Sequence, residues 1–232
     1  AQAVVSRTYA LRNYDRHSEE GFNLCDTTHC QIYGGKSAED ERSNSAVDET
    51  KGEILAYEGE PINALYHGSS GGRTASPENV WGWEAPKYLT VKRIKYANQR
   101  SKDYWESTVK ADFIEKRLNA AGYNVGRIKK IKKSGKTRSG RAKNIAIITK
   151  KRRGKTVIPA VKFRKLIGYW KIKSTMIKRI SKKGDSFIFS GYGWGHGVGM
   201  CQTSARNMAN ERKSYKKILK YFYPKTDLEN WK

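Results

Sequence analysis

No stretch of this 232-residue chain approaches the roughly 20 apolar residues that a helix needs to cross a bilayer. No secretory leader is visible at its start. Cysteine is scarce: Cys25, Cys30 and Cys201 are the only three, and the third lies far from the other two. Three cannot all pair within the chain, which argues against a disulfide scaffold. Acidic residues run short in one half. Residues 1–90 hold 8 Lys+Arg against 14 Asp+Glu and residues 91–232 hold 39 against 8, so −6 and +31 make up the net charge of +25. On charge alone such a basic half attracts polyanions, whether nucleic acid, a membrane surface of anionic lipid, or an anionic wall polymer. No recognition-helix, RRM or zinc-finger pattern accompanies the charge, so no nucleic-acid partner is expected.

Other absences narrow the chemistry. The glycine-rich stretch GYGWGHGVGMCQ (191–202) has no Gly-Lys-Ser/Thr after it, which sets aside a phosphate loop. YHGSSGGRT (66–74) places His67 beside Ser69 and Ser70, but it is not the G-x-S-x-G elbow of a serine hydrolase. Glu58, Glu60, Glu78 and Glu84 read as surface charges, and no carboxylate pair of the glycosidase kind declares itself. No internal repeat is present.

What the chain does contain is aromatic surface: 14 Tyr, six Trp and six Phe in a sequence only 37% hydrophobic. Tyrosine and tryptophan offer large flat contacts with a polar tip, which suits sugars and wet interfaces. The periodicities predict an α+β fold, a single mixed domain over residues 1–232 with residues 91–190 as a strongly basic sub-region. The first residues, AQAVVSRTYALRNY, read as the middle of a helix without a cap, as if trimmed, with Val4, Val5, Tyr9 and Leu11 buried. A polar, acidic stretch from Lys36 to Glu49 reads as exposed loop or helix. Ile54–Tyr57 and Ile62–Tyr66 around EGEP predict a hairpin. Helices are expected over Asp112–Ala121, from Pro159 to Gly168, and over Thr203–Ala209 and Tyr215–Phe222, with Pro224 as a stop. Short basic strands are expected around Ile128–Ile131, Ile145–Thr149, Tyr169–Ile172 and Phe187–Phe189. The lysine-rich run Lys129–Arg153 therefore reads as strands rather than disorder. If GYGWGHGVGM is extended, its five alternating glycines share one face, and Tyr192, Trp194, His196, Val198 and Met200 share the other.

Three groups of residues are candidates for function. Cys25, His29 and Cys30 in CDTTHCQIY offer two or three ligands of the kind zinc takes, with His17 or His67 available to add another and leave a position for water. Two packed thiols or a strained local disulfide are the plainer readings. His67, Ser69, Ser70, Gly71 and Gly72 form either a site-lining loop or a turn whose serines cap it. Arg7, on the first helix, either snorkels or reaches into a site to grip a carboxylate or carbonyl.

Six segments, AQAVVSRTYAL, CDTTHCQIYGG, YHGSSGGRT followed by VWG, KFRKLIG, GYGWGHGVGMCQTSARNMA and KKILKYFYPKTDLE, occur in the order seen in the stage II sporulation protein D family and related LytB-type domains, so nearly the whole chain resembles that family. The resemblance implies a peptidoglycan lytic transglycosylase that cleaves MurNAc–GlcNAc bonds to leave 1,6-anhydroMurNAc ends, preferring glycan strands stripped of their peptides. One carboxyl group suffices there, because the sugar's own 6-hydroxyl is the nucleophile. The family's glutamate lies just ahead of the AQAV helix, outside these 232 residues, and Arg7 matches its supporting arginine. If that glutamate is missing, the chain is a catalytically incomplete glycan-binding module. The resemblance further implies zinc at Cys25, His29 and Cys30, a peptidoglycan amidase as partner, and an extracytoplasmic location with an N-terminal membrane anchor. A glycan groove would then be lined by Gln2, Tyr66, His67, Ser69, Ser70, Gly71, Gly72, Trp194, His196 and Gln202.

Overall fold

A computed structural model describes residues 1–97, 100–149 and 154–231, with residues 100 and 101 described by their backbone alone. The end of the lysine-rich run, residues 150–153, lies outside the described residues. In chain order the elements are α1 (Gln2–Arg12), α2 (Glu41–Asp48), β1 (Glu53–Tyr57), β2 (Glu60–Pro61), β3 (Tyr66–His67), α3 (Pro77–Val80), α4 (Arg100–Asp103), β4 (Tyr104–Lys110), α5 (Ala111–Ala120), β5 (Ile128–Lys136), β6 (Ala142–Thr149), β7 (Thr156–Pro159), α6 (Ala160–Ile167), β8 (Ile177–Lys183), β9 (Ser186–Tyr192), β10 (Met200–Cys201), α7 (Gln202–Asn210), α8 (Tyr215–Phe222) and β11 (Asp227–Asn230). The fold is α+β, as the periodicities predict.

Two hydrophobic cores organise these elements. The first joins the two ends of the chain: Val4, Val5 and Tyr9 of α1 pack with Leu55 of β1, Met208 of α7 and Ile218, Leu219 and Phe222 of α8. In α8 those three side chains recur at helical spacing, Ser214 caps the first turn, and burying each contributes about 1.5–3 kcal/mol. The second core lies between the β4-β9-β8 and β5-β6-β7 sheets and their helices. Trp105, Ile114, Leu118, Ile145, Phe163, Phe187 and Phe189 fill it. The lysines of β5 and β8 stay outside it, so the basic run is the solvated face of a sheet.

The hairpin is shorter than its pattern. β1 turns through Glu58 and Gly59, both at positive φ, but pairs with only Glu60–Pro61, and β3 instead pairs in parallel with β10. β11 takes the other edge of β1. Tyr169–Ile172 is a turn rather than a strand: Arg164 donates to the Ile172 carbonyl and stacks on Tyr169, so α6 holds this segment directly. Leu11 is half-buried, beyond the buried stripe of Val4, Val5 and Tyr9. Residues 36–49 are exposed, as expected, around a short turn of helix and α2.

The glycine stretch is the joint between the two cores. It leaves β9 in the second and enters β10 in the first. It is not extended throughout, because Gly193, Gly195, Gly197 and Gly199 all have positive φ. The glycines therefore do not form one flat face for a ligand. Their missing side chains make room for the protein itself; at Gly197 an added Cβ would sit 2.3 Å from the Arg141 guanidinium.

Candidate functional site

The joint and the YHGSSGGRT loop lie against each other. Ser69 and Trp194 exchange backbone hydrogen bonds at 2.9 and 2.8 Å, and the Ala75 N–H donates to the Gly197 carbonyl. The serines cap their own turn, since the Gly71 and Gly72 amides donate to Ser69 Oγ and Ser70 Oγ. His67 does not face either serine. Its Nδ1 donates to the Val198 carbonyl at 3.0 Å, so this loop has no serine–histidine pair.

At the head of α1, Gln2, Tyr66 and Gln202 do come together. Gln202 Nε2 donates to Gln2 Oε1 at 3.2 Å, and Gln2 Nε2 donates to Ser6 Oγ. The Tyr66 hydroxyl donates to Gln31 Oε1, whose amide reaches the Ser6 carbonyl. Gln31 is a member that sequence reasoning missed; it sits one residue past Cys30. Beyond Gln202 opens a cavity of about 970 Å³ that takes in Ser69, Trp194 and the first turns of α7. Trp194 is 42% exposed, with the edge of Trp170 against its ring. Trp81 stacks on Trp83 and packs against His196.

Arg7 points elsewhere. Its guanidinium donates to the carbonyls of Thr50, Glu53 and Val47, tying α1 to the end of α2 and the start of β1.

His67 and His196 sit beneath the joint, 5.6 Å apart between ring centres. His196 Nδ1 accepts from the Val198 amide and its ring also hydrogen-bonds the Tyr66 backbone, so the protein engages this imidazole on both sides. His67 is 3% exposed, and among the described residues its Nε2 has no hydrogen-bond partner. Burial, and then the nearby Arg141 cation, push its pKa down to about 3. Arg141 is itself 2% exposed and spans the two cores by donating to the Ser70 carbonyl.

This burial has a measurable consequence. The folded chain keeps His67 neutral where the unfolded chain protonates it, so stability falls as pH drops below the unfolded value near 6.5 and goes on falling towards about 3. One histidine contributes a slope of about 1.4 kcal/mol per pH unit. His67→Asn, which keeps a donor for Val198, should flatten the wild-type slope between pH 7 and 5 by about that amount in denaturant titrations. An unchanged slope would show that His67 is not the proton-linked group.

A separate cluster lies in the segment after α1. His17, Cys25, His29 and Cys30 each offer one ligand atom, all within 4.8 Å of one another. His29 Nδ1 is 3.8 Å from Cys25 Sγ, 3.7 Å from Cys30 Sγ and 3.2 Å from His17 Nε2. Hydrogen bonds from Thr27 chiefly, with a smaller one from His29, bring the Cys25 thiol down to about 5. The Glu20 carboxylate holds His17 Nδ1 and raises its pKa, turning Nε2 towards the cluster in the manner of a carboxylate–histidine pair. The fourth donor is thus His17 and not His67. Two thiols and two imidazoles so placed match the donor set of a closed tetrahedral zinc site.

Residues 1–57 match the family model "Stage II sporulation protein", and residues 86–199 match a domain of unknown function, DUF8618. A stage II sporulation protein D of Bacillus amyloliquefaciens is 28% identical over 246 residues, covering 98% of this chain and 67% of the relative. The chain thus resembles the stage II sporulation protein D family along nearly its whole length. Two further relatives align with all of it. An amidase enhancer of Bacillus subtilis (strain 168) is 30% identical over 273 residues, and an uncharacterized protein of Brachyspira hyodysenteriae is 34% identical over 238. The chain spans 38% and 61% of the length of these two relatives. Among the described residues no helix is long and apolar enough to cross a membrane.

Proposed function

We propose that this chain binds peptidoglycan glycan strands along the groove beside Trp194 and acts as a lytic transglycosylase outside the cytoplasmic membrane. The observation that carries this reading is the meeting of Gln2, Gln202 and Tyr66 at the head of α1 with a large polar cavity and an exposed indole. Paired amides suit acetamido and hydroxyl groups, and the indole suits a sugar face. A single carboxyl at the head of α1, the position that family resemblance assigns to the general acid, would protonate the glycosidic oxygen. It would then assist attack by the 6-hydroxyl, so that a 1,6-anhydro end forms without water.

His17, Cys25, His29 and Cys30 would hold zinc. The ion would supply a fixed cross-link, since four protein ligands leave no coordination position for water. The basic sheet faces would keep the protein near an anionic wall polymer or membrane surface.

A second reading has support in the amidase enhancer's alignment with the whole chain: a glycan-binding module that assists a peptidoglycan amidase without cleaving. Mass spectrometry of strands with and without stem peptides, incubated with the full-length protein and with residues 1–232, separates the two. New 1,6-anhydroMurNAc ends support cleavage; bound but intact strands in both incubations support the module. Trp194→Ala should weaken strand binding about tenfold under either reading. Undiminished binding would remove the groove from the proposal.

A further inference from the structure

The cavity beside Trp194 is lined by three cations, Lys102, Lys173 and Arg206, to which the glycan reading gives no role. They come from α4, the turn before β8, and α7, elements that only the fold brings together. Lys102 and Arg206 are exposed, and Lys173 is half-buried with its ammonium 4.8 Å from the centre of the Trp194 ring. Among the described residues none of the three is in an ion pair. The carboxylate among the lining residues is Asp103, 9% exposed and already engaged, so the cations outnumber it.

The platform is held firmly. The Lys173 carbonyl accepts from the Gly195 amide at 2.9 Å and from Arg164 at 3.0 Å, which ties this lysine to the glycine joint. Trp194 is fixed by its two backbone bonds with Ser69 and by Trp170. A neutral glycan needs the indole and the amides but gives three unpaired cations nothing to bind. An anion on the sugar satisfies both halves of the site, because charge-assisted hydrogen bonds are strongest to carboxylate and phosphate.

We infer that this cavity is a subsite for an acidic sugar, its ring at Trp194 and its carboxylate among Lys102, Lys173 and Arg206. The inference rests on the glycan reading above and specifies what the glycan must carry. In a peptidoglycan strand that group is the lactyl carboxylate of a muramic residue, which is free only where no stem peptide is attached. The subsite thus selects bare strands by charge rather than by room.

Calorimetric titration of the full-length protein tests this with peptide-free strands and with the same strands after their carboxyls are converted to neutral methyl amides. Free-acid strands should bind about tenfold tighter at about 50 mM salt, and the gap should shrink at about 300 mM. Replacing all three cations by Gln should remove the gap between free-acid and amidated strands. Lys102→Gln with Arg206→Gln, which spares the lysine packed on Trp194, should remove part of it. Equal binding of acid and amide by the wild-type protein would overturn the inference while leaving the glycan reading in place. Binding to neither strand would end both. Tighter capture of a phosphate-bearing wall polymer than of free-acid strands, lost with the three cations, would also overturn it.

Discussion

Gly199→Ala should destabilise the protein by about 4 kcal/mol or more, a large share of the roughly 5–15 kcal/mol that holds a domain folded. Two costs combine. Gly199 has φ +71°, a region that costs an alanine about 1–2 kcal/mol. A Cβ there would lie 1.9 Å from the Leu65 carbonyl oxygen, and that contact is backbone on backbone. The oxygen cannot move aside cheaply. It accepts from the Met200 amide at 3.0 Å and from the Tyr223 hydroxyl at 2.6 Å, bonds that seat β10 and α8 in the first core. Relieving the overlap sacrifices them, and each buried hydrogen bond contributes about 1 kcal/mol net. Gly72→Ala is the matched control, with φ +100° but open space around its Cβ, and should cost only about 1 kcal/mol. Guanidinium unfolding of both variants checks the pair. Similar midpoints would mean that the joint yields and the crowding argument fails.

The same joint shows how far the sequence could be read. Its alternating glycines signal that bare backbone is needed, but not whose side chain or carbonyl fills the space; Arg141, His67 and Leu65 are distant in sequence. Helices with a clear apolar stripe, such as Tyr215–Phe222, were legible because their period points to one face. Strands with isoleucines three apart were harder. IKKI in β5 and IKRI in β8 both break the two-residue alternation, and a bulge after Ile128 and another after Ile177 absorb the extra residue in each. The turn at Tyr169–Ile172 looked like a strand because it is aromatic and apolar, but Tyr169 stacks on Arg164 of α6, Trp170 meets Trp194 and Ile172 enters the second core. In the candidate site, the cluster of thiols and imidazoles was legible in CDTTHC since three of its four members fall in six residues. The cationic subsite was not, because Lys102, Lys173 and Arg206 are three among 47 basic residues and only the cavity they share distinguishes them.

Purified under reducing conditions and then dialysed against zinc, the protein should hold one ion per chain, and removing it should open one segment rather than the whole fold. Residues 13–40 have two short turns of 3-10 helix as their only regular structure, and most of their side chains are exposed. Cys30 is the one ligand that is buried. Little apolar burial holds this segment, so a metal cross-link among His17, Cys25, His29 and Cys30 would be its main source of order. Binding energy at a structural zinc site is folding energy, on the order of 10 kcal/mol in small zinc domains. Here that energy would order a local segment, while the two cores keep their own. Chelation should therefore speed proteolytic cleavage within residues 13–40 by at least about tenfold, with cleavage elsewhere little changed. Cys25→Ser with Cys30→Ser should reproduce the chelated pattern, and zinc should no longer reverse it. Cobalt in place of zinc should give the intense visible bands of a tetrahedral thiolate site. Absence of bound metal, together with a chain two hydrogens lighter by mass, would identify a Cys25–Cys30 disulfide and overturn the zinc assignment. Uniform loss of stability throughout the chain on chelation would keep the metal but move its role from this segment to the whole fold.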